Sequence, residues 1–393
     1  MKILYSLTSY PPSTGGAQFH MHQLACELKN QHELGVISQW NQNRTDWLLG
    51  TTIKSVSKSG SYVIDEIPVT QIGFAFQEKL KMVPWVLSYP IFQGIAVDKI
   101  SDVFLREFNK TIKEIDIVHN CRIGREFISL ASYKYARQKD KPFIITPVHH
   151  PAWNGWFHRI FHNLFKNSDA VIALTQSEKK TLINLGVQDS KIHITGIGPI
   201  LSEVFDGNRL KQKYNLKDVP IVLFLGQKYE YKGLLQLLNS TKIVWNKFPD
   251  VHFLFIGPRT KYSINLFSEY YDRRILEIDK VNLQEKTDAL AACNLLCVPS
   301  TQESFGGVYT EAWSMGKPVI GCNIPAVSEV IDHGVNGLLV SQSAESIADG
   351  IIQILSSNKL ANEMGLNGKN KVQNNYSWNQ LAKKTLEIYL SLK

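Results

Sequence analysis

The sequence predicts an α/β protein made of two doubly wound, Rossmann-like domains that face one another across a cleft. Three observations predict it. Short apolar runs ending in glycine, proline or histidine alternate with stretches of helical spacing, the pattern of a mostly parallel sheet covered by helices on both faces. The alternation pauses in a polar, helix-like stretch between Gly196-Ile197-Gly198-Pro199 and Asp218-Val219-Pro220, then starts afresh. The length, 393 residues, suits roughly two to three domains.

In the first half, Lys2 to Leu7 reads as a strand. Tyr10 to Gly16, with Pro11-Pro12 and Gly15-Gly16, turns out of it. Ala17 to Lys29 is helical through Ala17, Met21, Leu24, Ala25 and Leu28. Strands follow at Leu34 to Ser38, Ile115 to His119, Phe143 to Val148, Ala170 to Leu174 and Ile192 to Ile194, with a helical stretch from Trp156 to Asn167 that carries His158 and His162. Gly73 to Phe108 is rich in aromatic and apolar residues. It reads as buried helices, or else as an exposed amphipathic face for a lipid-linked acceptor or a membrane.

The second half offers strands at Ile221 to Leu225, Val251 to Ile256, Asn294 to Val298, Pro318 to Gly321 and Gly337 to Val340, then a helix from Ala344 to Leu355. The expected domains are 1–200, binding the acceptor, and 201–375, binding the donor. A tail, 376–393, contains a helix from Trp378 to Leu392 that packs back on the first domain.

Lys and Arg total 43 against 35 Asp and Glu, a net charge of +8. Residues 1–200 hold 22 of the bases and 16 of the acids, so most of the excess lies there. That balance fits an anionic substrate or membrane surface, and equally ordinary solubility. No Lys/Arg-rich run points to nucleic acid. The five cysteines, without a Cys-x-x-Cys pair, read as reduced thiols in a reducing, cytoplasmic setting. The start, MKILYSLTSYPPSTGG, is not expected to be a signal peptide, and no run of about twenty apolar residues predicts a membrane span.

The chemistry concentrates in Pro299 to Gly321, PSTQESFGGVYTEAWSMGKPVIG. Gly306 and Gly307 stand where a strand has ended and a helix begins. Glycine admits torsions that other residues avoid and lets a ligand approach the amides, and the unpaired amides of a helix start hold a diphosphate. A carboxylate there would repel phosphate, so Glu303 is expected to turn toward sugar hydroxyls. Glu311, about two turns on, suits a bidentate bond to a ribose. The bland alternative is a solvated, acid-rich helix start.

This segment resembles the donor-binding motif of the family 4 retaining glycosyltransferases, which have the GT-B fold. Their two glutamates separated by seven residues read here as ESFGGVYTE. The match continues through EAWSMGKPVIG and SEVIDHGVNGLLV. The resemblance implies that Glu303 lies near the donor sugar, that Glu311 binds ribose, and that the amides of Phe305, Gly306, Gly307 and Val308 hold the diphosphate. It also implies a UDP- or GDP-sugar as substrate, with no cofactor and no metal.

After the strand ending at Leu225-Gly226, the family usually places an arginine and, five positions later, a lysine. Lys232 matches the lysine and is expected on the phosphates. Gln227 occupies the arginine position, and an amide does not reproduce a guanidinium's grip. Lys228 is a candidate replacement. Arg259 is expected either at the nucleotide or in an inter-domain salt bridge.

On the first domain, Gly15 and Gly16 resemble the family's glycine-rich first loop, with Gly16 toward the donor and Gly15 toward the acceptor. The family's active-site histidine maps to His149, with His150 the alternative because Pro147 shifts the register. His119 resembles an Asp-x-Val-His element on the acceptor side, or is a satisfied structural histidine. Three histidines without companion cysteines do not make a zinc site.

The expected reaction is retaining transfer of a sugar to a saccharide or lipid-linked acceptor hydroxyl, in polysaccharide or glycolipid assembly. Lys232, Glu303 and His149 would be the central residues, with peripheral contact to a membrane. The alternatives are a nucleotide-sugar 2-epimerase and a noncatalytic nucleotide-sugar-binding module.

Overall fold

β1 (Lys2–Ser9) is buried along all but its first residue, as a central parallel strand must be. The other strands of its sheet are β2 (Glu33–Trp40), β3 (Gly60–Ile64), β4 (Ile67–Gln71), β5 (Ile117–Cys121), β6 (Phe143–Thr146), β7 (Ala170–Ala173) and β8 (Ile192–Ile194). Their order is β3-β4-β2-β1-β5-β6-β7-β8. Only the β3–β4 pair is antiparallel. This computed structural model describes residues 1–393 except 14, 43–45, 150–154, 156–157 and 217–218. It separates into two units, Met1–Gly196 with Trp378–Lys393, and Ile197–Ser377.

The period-two alternation of a strand builds the first unit's two core layers. Ile3, Tyr5 and Leu7 point into one, with Met21, Ile117 and Tyr389. Leu4 points into the other, with Ile37, Phe104 and Phe127. The helix Trp378–Ser391 lies in this unit, against the helix Gly16–Leu28.

The β3–β4 hairpin was not expected. Its turn residues Asp65 and Glu66 both have positive φ, 47° and 64°, which suits a two-residue hairpin turn. β3 is mostly exposed, and its apolar run, Tyr62-Val63-Ile64, is only three residues long. The aromatic stretch forms the helices Phe76–Ser88 and Gln93–Thr111. Met82, Val86, Phe104 and Phe108 enter the core, whereas Phe76, Leu87, Ile91 and Phe92 face solvent.

The second unit has β9 (Ile221–Leu225), β10 (His252–Ile256), β11 (Ile275–Ile278), β12 (Leu295–Val298), β13 (Val319–Cys322) and β14 (Gly337–Val340). The order is β11-β10-β9-β12-β13-β14, all parallel. β11, absent from the expected set, is an edge strand, half-buried throughout and broken by Glu277. The chain winds outward in both directions from β9 and β12. Open α/β sheets bind ligands at such a switch point, outside the carboxyl ends of the strands. All five cysteines are free thiols. Among the described residues no helix is long and apolar enough to cross a membrane.

Candidate functional site

Two loops leave the carboxyl ends of β9 and β12, the adjacent strands at the second unit's switch point. The first passes through a 3-10 turn, Glu230–Lys232, and reverses at Gly233, which has φ 77°. A Cβ there would lie 2.5 Å from the carbonyl oxygen of Pro299, so glycine is needed for the two loops to touch. Thr301 N donates to Tyr231 O at 3.0 Å. The amide of Gln342, just after β14, donates to both Tyr231 O and Pro299 O. These bonds bring Lys232 to Glu303, with Nζ 2.5 Å from Oε1.

Gly306 caps the helix Gly307–Ser314 with φ 85° and ψ 59°. A Cβ on it would meet the Tyr309 ring at 2.4 Å. Phe305 is anchored beneath the loop by an edge-on contact with Tyr376, centroids 5.2 Å apart. The first amides of this helix, Gly307 and Val308 among them, lack intrahelical acceptors by construction. Glu311 lies on the same helix and is buried. Lys286, from the helix Leu283–Ala292, donates to its Oε1 at 2.7 Å. Its Oε2 has no hydrogen-bond partner among the described residues. A carboxylate held by one oxygen with the other unused is an acceptor for hydroxyl donors. No local sequence signal marks Lys286, which meets Glu311 from 25 positions away.

Lys228 is a correction to the expected site. Its side chain is fully buried, paired with Glu277 and bonded to Ile278 O at 2.6 Å. Burial pushes its ammonium pKa down. It therefore does not replace the missing arginine. Arg259 turns to the same carboxylate, at 2.7 Å, so its salt bridge lies within the second unit. The organising residue is Glu277, on the β11 that the sequence concealed. Gln227 is exposed at the start of the loop.

In the first unit, His149 follows β6 and is buried. The preceding Val148 has φ 45°, a strained torsion for a β-branched residue. Glu178 holds the turn, accepting from His149 N at 2.5 Å and from Leu174 N at 2.7 Å. Burial raises the Glu178 pKa to about 7. Thr175 caps the helix that carries Glu178, and the Thr-x-x-Glu spacing is a signal that could have found it. His162 packs near His149, and His158 bonds to Arg122 at 3.2 Å. His150 lies outside the described residues.

His119 is the second correction. It is fully buried on β5, with Nδ1 2.6 Å from Tyr389 OH and Nε2 2.8 Å from Thr146 Oγ1. Burial lowers its pKa to about 3. Both ring nitrogens are occupied, so it is a structural histidine and not an acceptor-side group. Gly15 sits against Gln18, whose Oε1 would be 2.2 Å from a Cβ, whereas a Cβ on Gly16 would meet nothing within 4 Å. Among the described residues, His22, Cys26 and Asp65 have ligand atoms within 4.8 Å of one another. His22 is already held between Tyr10 OH and Asp65, each at 2.8 Å.

Residues 206–371 match the family model described as Glycosyl transferases group 1, and residues 14–198 match that described as Glycosyltransferase Family 4. The chain belongs to the family 4, group 1 glycosyltransferases. This family 4 protein is 28% identical over 228 residues to the capsular polysaccharide biosynthesis glycosyltransferase CapM of Staphylococcus aureus, covering 54% of this chain and 60% of that one. It is 29% identical over 175 residues to the phosphatidyl-myo-inositol mannosyltransferase of Mycobacterium tuberculosis, covering 43% and 46%. The matches thus span only 46% and 60% of these relatives' lengths. The structure of Anabaena HepE with UDP and glucose superposes with a TM-score of 0.75 at 18% identity, over 100% of both chains. Sucrose-phosphate synthase of Thermosynechococcus elongatus gives 0.74 at 17%, over 100% and 98%. This family 4 chain has the GT-B fold.

Proposed function

We propose that this protein transfers a sugar from a UDP- or GDP-sugar to an acceptor hydroxyl with retention of anomeric configuration, without a metal. The observation that carries the reading is the Lys232–Glu303 pair at the second unit's switch point, just before the helix that begins at Gly307 and carries Glu311 with an unused Oε2. A departing nucleoside diphosphate builds negative charge. An ammonium and unpaired helix amides stabilise such charge without a metal ion. In this reading Lys232 and the amides of Phe305 to Val308 hold the diphosphate. The unused Oε2 of Glu311 accepts from the ribose, and Glu303 and His149 orient the sugar. Gly16 keeps the loop after β1 open to the ligand. The acceptor's proton leaves on the departing phosphate.

Relatives named for capsular polysaccharide and for phosphatidyl-myo-inositol mannosylation support polysaccharide or glycolipid assembly, with a saccharide or lipid-linked acceptor at a membrane. Free cysteines, four of them buried, suit a reducing cytoplasm. The test is a thermal-shift screen with UDP-, GDP- and ADP-sugars, then turnover with the best donor in the presence of a chelator. Donor-dependent transfer that is lost in Glu303→Gln and Lys232→Ala supports the reading. Turnover that survives both changes sinks the site assignment, and product formed without an acceptor points to an epimerase.

A further inference from the structure

We propose that the outer face of the helix Phe76–Ser88, with the turn after it, docks on a bilayer containing anionic lipid. Phe76, Leu80, Leu87, Ile91, Phe92 and Ile95 are between 52% and 76% exposed. Positions 76, 80 and 87 are separated by four and seven residues, so they share one face of the helix, and Ile91 and Phe92 follow in the turn after it. Their opposite face, Met82, Val86 and Tyr89, is sealed into the core. The stripe is therefore a second apolar face on an element that has already satisfied its own packing. Large contiguous apolar patches on a protein surface mark sites of interaction.

The charges around the stripe select the occupant. The segment carrying Lys54 and Lys58 is tied to the start of the helix by Phe74 N to Val56 O and by Lys79 Nζ to Ser55 O. Lys54 and Lys58 are exposed, and Val56 between them is 41% exposed. Lys99 stands one turn beyond Ile95 and is exposed. Glu78, the acid on the first helix, is already bonded to Lys81 and Arg106. An apolar strip with lysines along its rim suits rings inserted between lipids and ammonium groups among anionic headgroups. A second copy of the chain fits poorly, because a two-fold contact would set the same lysines face to face.

The stripe also leads to the carboxyl edge of the first unit's sheet. Tyr89 OH donates to Glu126 at 2.9 Å and accepts from Arg125 at 3.2 Å. Arg122 and Arg125 lie in the loop that follows β5, beside β1 at that sheet's switch point. Arg122 is buried and Arg125 half-buried, so docking through the stripe would bring Arg125 toward the polar end of a lipid-linked acceptor. This part of the inference rests on the transferase reading; the docking itself does not.

The experiment is co-sedimentation of the full chain with phosphatidylcholine vesicles, with and without phosphatidylglycerol. The variants are Leu87→Ser/Ile91→Ser and Lys54→Ser/Lys58→Ser, each checked for unchanged melting and for unchanged turnover with a water-soluble acceptor. Binding should require phosphatidylglycerol. It should fall roughly tenfold or more in the apolar variant and roughly fivefold per lysine removed. A wild type that stays in the supernatant overturns the proposal, as does an apolar variant that binds equally. So does a dimer that the apolar variant converts to monomer without vesicle binding. Vesicle binding without turnover on any acceptor leaves docking intact and defeats the transferase reading.

Discussion

Replacing Gly306 with alanine separates a structural demand for glycine from a generic loop preference. At φ 85° and ψ 59° an L-residue is disfavoured by about 1–2 kcal/mol. The added Cβ would stand 2.4 and 2.6 Å from two carbons of the Tyr309 ring. That ring cannot swing away cheaply. It is fully buried, and its hydroxyl donates to Val298 O at 3.0 Å. Overpacking of this kind costs about 1–3 kcal/mol, so Gly306→Ala should lose about 2–5 kcal/mol. The strain falls at the start of the helix proposed to hold the diphosphate. A displacement of about 1 Å there should weaken donor use by roughly a hundredfold. Gly307→Ala is the control. Its Cβ would be 3.3 Å from Ile197 Cγ2, and its torsion is not left-handed, so the stability loss should be about 1 kcal/mol or less. The assay is thermal melting with and without UDP-sugar, beside calorimetric titration of UDP. A Gly306→Ala protein that melts and binds UDP like the wild type would refute the reasoning.

Further outcomes follow from the same geometry. Glu311→Gln keeps the shape but weakens the ribose acceptor, so donor affinity should fall by roughly tenfold to a hundredfold, while a donor lacking the ribose hydroxyls should be insensitive to the change. Lys228→Met breaks a buried pair with Glu277 and should lower the melting temperature while leaving the KM for donor unchanged; a selective rise in KM would return Lys228 to the donor site. His119 and His20 are held neutral by burial, with pKa values lowered to about 3 and about 4. Because the unfolded chain takes up these protons first, their stabilisation is complete above about pH 6.5 and is lost as pH falls, by about 1.4 kcal/mol per unit for each. His119→Asn should flatten the melting-temperature profile between pH 6.5 and 4, and an unchanged slope would count against this account. Gly16→Ala adds a Cβ that meets nothing within 4 Å, so melting should hold while turnover drops if ligand approaches there.

Much of the fold and of the donor-side pattern was legible because it is local. ESFGGVYTE carries its glycine pair and both glutamates within nine residues, and an apolar run bounded by Gly226 or Gly257 announces a buried parallel strand directly. The edge strands were not legible. β3 is mostly exposed and β11 half-buried, and their apolar runs are shorter than the one that reveals β9.

Sequence by itself determined the alternating α/β plan, the two series of strands, and the placing of Lys232 and Glu303 at the ends of two strands. Tertiary structure alone decided which charges are available. Lys228 meets Glu277 from 49 residues away, and His119 is sealed by a tyrosine 270 residues on. Full burial against a partner spends the Lys228 charge, whereas Lys232 keeps part of its side chain open beside Glu303, and periodicity along the chain cannot report such partners. The same holds for the helix Phe76–Ser88. Its composition announced an abundance of apolar side chains, but only packing showed which of them the core took and which were left facing water.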